Sequence, residues 1–184
     1  MWRITKTILT QELDKPKPNK AHLVEAQLYR VQGECRHVAQ RHVQLMEAVL
    51  FPNATTPEDR VWYQRMAIDA HQCLAEQADG DQQKLERGRN VESGYEACLR
   101  IALEELHAAH PVRLGILLNA SVWFYETKRD AQRGMQIAKE AFDACMQVVD
   151  GLDENERRDA QLIAQLIRDN LNMWTEEVEV EPGL

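Results

Sequence analysis

The sequence predicts an all-α protein, an antiparallel array of about seven helices, and three observations carry that expectation. Apolar residues recur at helical spacing along most of the chain, and no segment sustains the alternation of a half-buried strand. The 8 glycines and 6 prolines in 184 residues mostly punctuate the periodic segments. Those segments are long and their links short, which makes successive helices antiparallel neighbours.

Residues Trp2 to about Leu13 form the first helix, with Ile4 and Ile8 on one side. Asp14 to Asn19 breaks it, because Pro16 and Pro18 cannot continue an interior hydrogen-bond ladder. A long helix follows from about Lys20 to Leu50, with Leu28, Val31, Cys35, Val38, His42, Leu45 and Val49 as its stripe. Phe51 to Thr55 is a turn. Thr56 as N-cap, Pro57 in the first turn and Glu58 and Asp59 at the positive dipole end then start a helix that reaches about Asp79 and stops at Gly80. The next spans roughly Gln82 to Ala108, and Gly88 and Gly94 either kink or split it. His110 and Pro111 open a helix ending near Lys128. Asp130 opens another that reaches Val149 and closes with Gly151 in the left-handed region. The last helix runs from near Glu154 to about Glu176, leaving 176–184 as a short, disordered acidic tail. Residues 1–175 are thus expected to form a single domain.

The 30 Asp and Glu outnumber the 22 Lys and Arg, for a formal net charge of -8. An acidic surface argues against nucleic acid as a partner. No run approaches the roughly 20 apolar residues of a membrane span, and residues 1–13 lack a signal-peptide core, so a cytoplasmic protein is expected. Cys35, Cys73, Cys98 and Cys145 are widely spaced, contain no CxxC pair and read as reduced structural thiols. Among the six histidines only His37 and His42 are close on one helix, and at i, i+5 they do not share a face, so no metal site and no cofactor are expected. There is no phosphate-cradling Gly-rich loop, no GxSxG turn and no nucleophile–base set, so no enzyme is predicted.

Two amphipathic segments, His110–Glu126 and Asp159–Trp174, carry amides on or beside their apolar stripes. A buried amide is costly unless paired, so Asn119 and Asn170 need partners, which a groove holding another chain's backbone would supply. Gly115, Leu118, Val122 and Glu126 share one helical face, as do Leu162, Leu166, Asn170 and Trp174. Taken alone, such stripes are more often core than groove. The segments, with Arg113-Leu114-Gly115, Leu118-Asn119, Tyr125-Glu126, Leu162-Ile163 and Arg168-Asp169-Asn170-Leu171, closely resemble the 14-3-3 family of phosphopeptide-binding adaptors. Pro52-Asn53-Ala54, Leu74-Ala75-Glu76 and Ala141-Phe142-Asp143 extend the resemblance, which runs from Trp2 almost to the C-terminus.

The resemblance implies a non-enzymatic adaptor that binds segments of client proteins, phosphorylated or not, and a homo- or heterodimer with 14-3-3-like chains. By resemblance, Asn119 and Asn170 bond the peptide main chain, Glu126 and Trp174 reach it through polar contacts, and Gly115, Leu118, Val122, Leu162, Ile163 and Leu166 form the apolar wall. Arg65 falls at the groove lysine and Arg3 near the entrance. The chain departs from the family at the phosphate grip: Gln72 stands at the arginine of an Arg-Tyr pair, and Cys73 at the tyrosine. Charged hydrogen bonds are worth about 1.5–3 kcal/mol and neutral ones about 1. Losing several weakens phosphopeptide binding roughly 100-fold or more, so phosphate selectivity is expected to be weakened or lost. Cys73, near Arg65, could be oxidisable, but an inert buried thiol is the favoured reading there. Compared with the family, the chain looks like a divergent, N-terminally short member lacking two helices and most of a third. The alternative is a structural partner that dimerises with complete chains and has no working groove.

Overall fold

The computed structural model describes residues 2–14, 20–78 and 80–180, which form seven α-helices and no strand. They are α1 (Trp2–Leu13), α2 (Ala21–Leu45), α3 (Pro57–Glu76), α4 (Asp81–Glu105), α5 (Pro111–Val122), α6 (Ala131–Met146) and α7 (Glu154–Val180). The all-helical expectation is met. Packing divides the chain into two compact units, one built from residues up to Pro52 together with Met66–Glu92, the other from Asn53–Arg65 together with residues from Ser93 onward.

In the first unit α1 lies against α2, burying Thr5 and Glu12. The Glu12 carboxylate accepts the backbone N–H of Lys20 at 3.2 Å and so holds the start of α2. Ile4, Ile8, Leu13 and Leu23 stay exposed. Residues 15–19, the expected break, lie outside the described residues. The second half of α3 runs antiparallel to α2. Arg36 donates to the Gln77 carbonyl at 3.1 Å, and His71 Nε2 meets Glu47 Oε1 at 2.9 Å, so falling numbers on one helix face rising numbers on the other. Ala39, Ala70 and Leu74 form their shared core, with Val43 and Cys73 packed on it. The expected helix to Leu50 ends differently. Met46–Leu50 is a π-turn, and a 3₁₀ turn at Phe51–Asn53 follows. Pro52 has no N–H to extend an α-helical ladder there.

The second unit is built on capped helices. The Thr56 hydroxyl accepts the N–H of Asp59 at 3.1 Å, and the Asp130 carboxylate that of Arg133 at 3.0 Å. His110 caps α5: its Nδ1 accepts the N–H of Val112 at 3.2 Å, and its Nε2 lies 3.3 Å from Glu58 Oε1. Arg113 closes the end of α4 by donating to the carbonyls of Leu106 at 2.8 Å and Leu103 at 3.3 Å. Helices α5, α6 and α7 pack on one another around Leu114, Phe124, Ala138, Cys145, Ile167 and Trp174, all fully buried. Gly134 lets α6 approach, since a Cβ there would sit 2.8 Å from the Ser121 carbonyl oxygen and from the Tyr125 backbone nitrogen.

Several boundaries differ from expectation. Gly88 and Gly94 do not divide a helix: α4 is continuous through both. Gly151 does not take the left-handed conformation; it ends a 3₁₀ turn, Val149–Gly151, whose neighbouring carbonyls at Asp150 and Leu152 are met by Arg157 at 3.0 and 2.8 Å. Among the described residues, the left-handed ones are Gly80, at φ 91°, and Arg129, at φ 61°. α7 continues past Glu176 to Val180, with Glu177 fastened to the Tyr125 hydroxyl at 2.9 Å. Residues 181–184 of the expected tail lie outside the described residues. No helix among the described residues is long and apolar enough to cross a membrane.

Candidate functional site

A helix that packs on one side buries one stripe, and α7 shows which. Ala160, Ala164, Ile167 and Trp174 follow helical spacing and are buried. The adjacent stripe is not. Leu162 is 66 % exposed and Leu166 49 %, while Ile163 and Asn170 are half-buried. α5 divides in the same way. Leu114, Leu117 and Ser121 face the core, whereas Gly115, Leu118, Asn119 and Val122 are half-buried. These two second stripes hold most of the residues singled out from the sequence.

The second stripes of α5 and α7 begin at a cleft of about 300 Å³ lined by Val61, Trp62 and Arg65 of α3, Pro111, Val112, Gly115 and Ile116 of α5, and Ile163 of α7. Three expected residues, Arg65, Gly115 and Ile163, thus meet around one concavity. From Gly115, Asn119 is one helical turn further along the same face and Val122 two; from Ile163, Asn170 is two. Among the described residues neither asparagine amide has a hydrogen-bond partner. The arginine is also unspent. Its Nε is buried with no hydrogen-bond partner, no carboxylate among the described residues pairs with it, and its guanidinium carbon lies 5.7 Å from the Trp62 ring centre.

The far end of the site is organised by a second π-turn, Trp123–Thr127, which carries Tyr125 and Glu126. Tyr125 stacks on Trp174 with ring centres 4.4 Å apart. Desolvation first, and then the hydrogen bond to the Glu177 carboxylate, hold its phenol proton more tightly than usual. Glu126 is exposed. Trp174, expected to reach a peptide through polar contacts, is fully buried, and its indole N–H has no acceptor among the described residues. Gln72 and Cys73 lie further along α3, in the first unit; both are half-buried, and the Gln77 amide donates to the Cys73 sulfur at 3.1 Å. The Arg3 side chain lies outside the described residues.

Sequence reasoning missed Trp62, Val61, Val112 and Ile116. Helical phase was the available signal: Trp62 is three residues before Arg65, and Val112 three before Gly115. Among the described residues no cluster of His, Cys, Asp or Glu could hold a metal ion.

This is an all-helical scaffold with an open, amide-bearing amphipathic face. The chain belongs to the 14-3-3 family: the family model described as 14-3-3 protein matches residues 1–175. It is 36 % identical over 178 residues to the checkpoint signal transducer rad24 of Schizosaccharomyces pombe, covering 97 % of this chain and 66 % of that protein. It is 35 % identical to 14-3-3 protein 10 of Solanum lycopersicum, covering 97 % and 70 %, and 36 % identical to 14-3-3 protein epsilon of Drosophila melanogaster, covering 98 % and 68 %. The chain therefore spans about two thirds of the length of these relatives. The family is one of non-enzymatic adaptors, not of enzymes.

Proposed function

We propose that this chain is a cytoplasmic adaptor that holds extended segments of client proteins along the open stripes of α5 and α7, and that it reads phosphate weakly or not at all. The observation that carries this reading is the pair of half-buried, unpartnered amides, Asn119 and Asn170, on the two stripes that begin at the Arg65 cleft. An extended backbone offers the N–H and C=O groups those amides lack, and Gly115, Leu118, Val122, Leu162, Ile163 and Leu166 offer apolar contact to alternate side chains. Glu126 adds an exposed acceptor near the far end. The weak phosphate reading rests on Gln72 and Cys73, where the family has a cation and a phenol. An amide there supplies neutral hydrogen bonds of about 1 kcal/mol in place of charge-assisted ones of about 1.5–3.

Titration of a labelled phosphoserine peptide and its unphosphorylated twin tests the reading. Affinities within about threefold of each other support it, and a preference of about 100-fold for the phosphorylated peptide overturns it.

A second reading is favoured by the exposed Ile4, Ile8 and Leu23 of α1 and α2, a face suited to burial against another 14-3-3-like chain. In that reading the chain is a dimerisation partner without a working groove. Asn170→Ala separates the two, because it weakens a groove binder and leaves a pure dimerisation partner unchanged.

A further inference from the structure

The apolar stripe of α2, from Leu28 to Val49, is covered over only part of its length. Its early part lies under α1. The Glu12–Lys20 bond sets the end of α1 beside the start of α2, and the two helices pack on each other. The 12 residues of α1 rise about 18 Å, which is the length of α2 as far as about Gln32. Val31, near that point, is buried. Beyond it the stripe is bare: Val38 is 65 % exposed, and Leu45 and Val49 are exposed too. A cavity of about 600 Å³ opens along this bare part, in the first unit, between α2 and the later half of α3. Val38, Ala39, Met66 and Ala70 make its walls largely apolar. Its charged lining is two carboxylates, Glu34 and Asp69, with the His42 imidazole and no lysine or arginine.

The length, polarity and charge of this face select its occupant. From Cys35 to Val49 the bare stripe rises about 21 Å, roughly four helical turns, which suits an elongated element better than a compact small molecule. An extended segment brings backbone N–H and C=O groups that need partners. The amides on the open stripes of α5 and α7 offer such partners, whereas no amide lines the α2–α3 cavity. An α-helix bonds its own backbone and asks a groove only for apolar contact. Ala39 and Ala70, small and at the floor, leave room for its side chains. The first part of the same stripe already takes a helix, α1. The carboxylates fix the sign of the guest's flanks. Glu34 and Asp69 are both exposed, and Glu34 meets Arg30 at 3.9 Å in a surface pair that another cation competes with readily.

We propose that the bare stripe of α2, with the facing side of α3, is a docking groove for an amphipathic α-helix of a partner protein, one whose apolar ridge is flanked by lysine or arginine. The ridge lies along Val38, Leu45 and Met66 over the alanine floor, and the flanking cations reach Glu34 and Asp69. The groove is built on the first unit alone, whereas the open stripes of α5 and α7 belong to the second. It takes a partner that bonds its own backbone, and so it does not depend on the extended-peptide reading of those stripes.

The test titrates the intact chain with a helical peptide of about 15 residues, built from alanine, a leucine stripe at helical spacing and lysines on both sides of it. Two twins accompany it, one with glutamate for lysine and one with a central proline that breaks the helix. The lysine peptide is expected to bind, and each twin to bind about tenfold or more weakly. Val38→Asp is expected to weaken the lysine peptide by about tenfold as well, although the added negative charge by itself favours a cationic guest. Leu103→Asp, at a comparably bare leucine in the second unit, leaves binding unchanged. Glu34→Lys weakens the lysine peptide and strengthens the glutamate twin. No binding at about 1 mM, equal binding of the proline twin or unchanged affinity in Val38→Asp each overturns the proposal. So does a dimer of the chain alone that Val38→Asp dissolves, since a second copy is then the occupant. Should Val38→Asp fail to fold by circular dichroism, the Glu34→Lys charge swap carries the same decision, and no exchange of preference between the two peptides overturns the proposal.

Discussion

Single side chains decide how much of the proposed groove is usable. Removing one amide that bonds a peptide main chain costs about 1 kcal/mol, so Asn119→Ala and Asn170→Ala are each expected to weaken peptide binding about fivefold, with helix content by circular dichroism unchanged. Unchanged affinity in both variants sinks the groove reading. Installing the family pair with Gln72→Arg and Cys73→Tyr is expected to raise the ratio of phosphorylated to unphosphorylated affinity about tenfold or more, measured with the same two peptides. At this scale the sequence was informative where chemistry is local. Thr56, His110 and Asp130 were legible as helix starters, and each accepts a backbone N–H, Thr56 and Asp130 as their residue types predict. It was less informative for Trp174. An indole at groove spacing reads the same whether it faces a ligand or a tyrosine ring, and here it is buried against Tyr125.

Helix ends and crossings set the next level. Gly134 is where α6 meets the α5 turn, and a methyl there would press on backbone atoms that cannot give way. Gly134→Ala is expected to destabilise by about 1–3 kcal/mol, lowering the melting temperature by several degrees. Gly88→Ala, with nothing within 4 Å of the added carbon, is the contrast, and is expected to stabilise by about 0.5–1 kcal/mol. α7 starts at Asp153, whose carboxylate accepts the N–H of Glu156 at 3.0 Å and of Asn155 at 2.9 Å; the bond to Glu156, before any other influence, holds its pKa below the ordinary value. A depressed folded-state pKa stabilises above the unfolded value, about 3.9, and that contribution disappears as the pH falls through the depressed one. The melting-temperature gap between wild type and Asp153→Ala is therefore expected to be constant near neutrality and to close in acid. Periodicity revealed the helices themselves. It did not reveal the π-turns at Met46–Leu50 and Trp123–Thr127, because a single turn of five residues is too short to set a period of its own.

For the molecule as a whole, burial is uneven, and dynamics should follow it. α6 and α7 bury Ala138, Cys145, Ile167 and Trp174 completely, whereas α1 leaves Ile4, Ile8 and Leu13 about half or more exposed. Native-state amide exchange is expected to be slowest in α6 and the middle of α7, and at least about tenfold faster in α1. Equal protection across these helices would contradict the burial pattern. Periodicity alone did not tell which apolar face of α5 or α7 turns inward, since both helices carry two such stripes and the tertiary packing with α6 chooses between them. The cleft at the head of the open stripes also has an optical consequence. Trp62, 51 % exposed beside Arg65, is a fluorophore already installed at the entrance. A guest seated there strips water from its ring and shifts its emission to the blue, so occupancy can be followed by light on the unlabelled protein, with Trp62→Phe as the silent control.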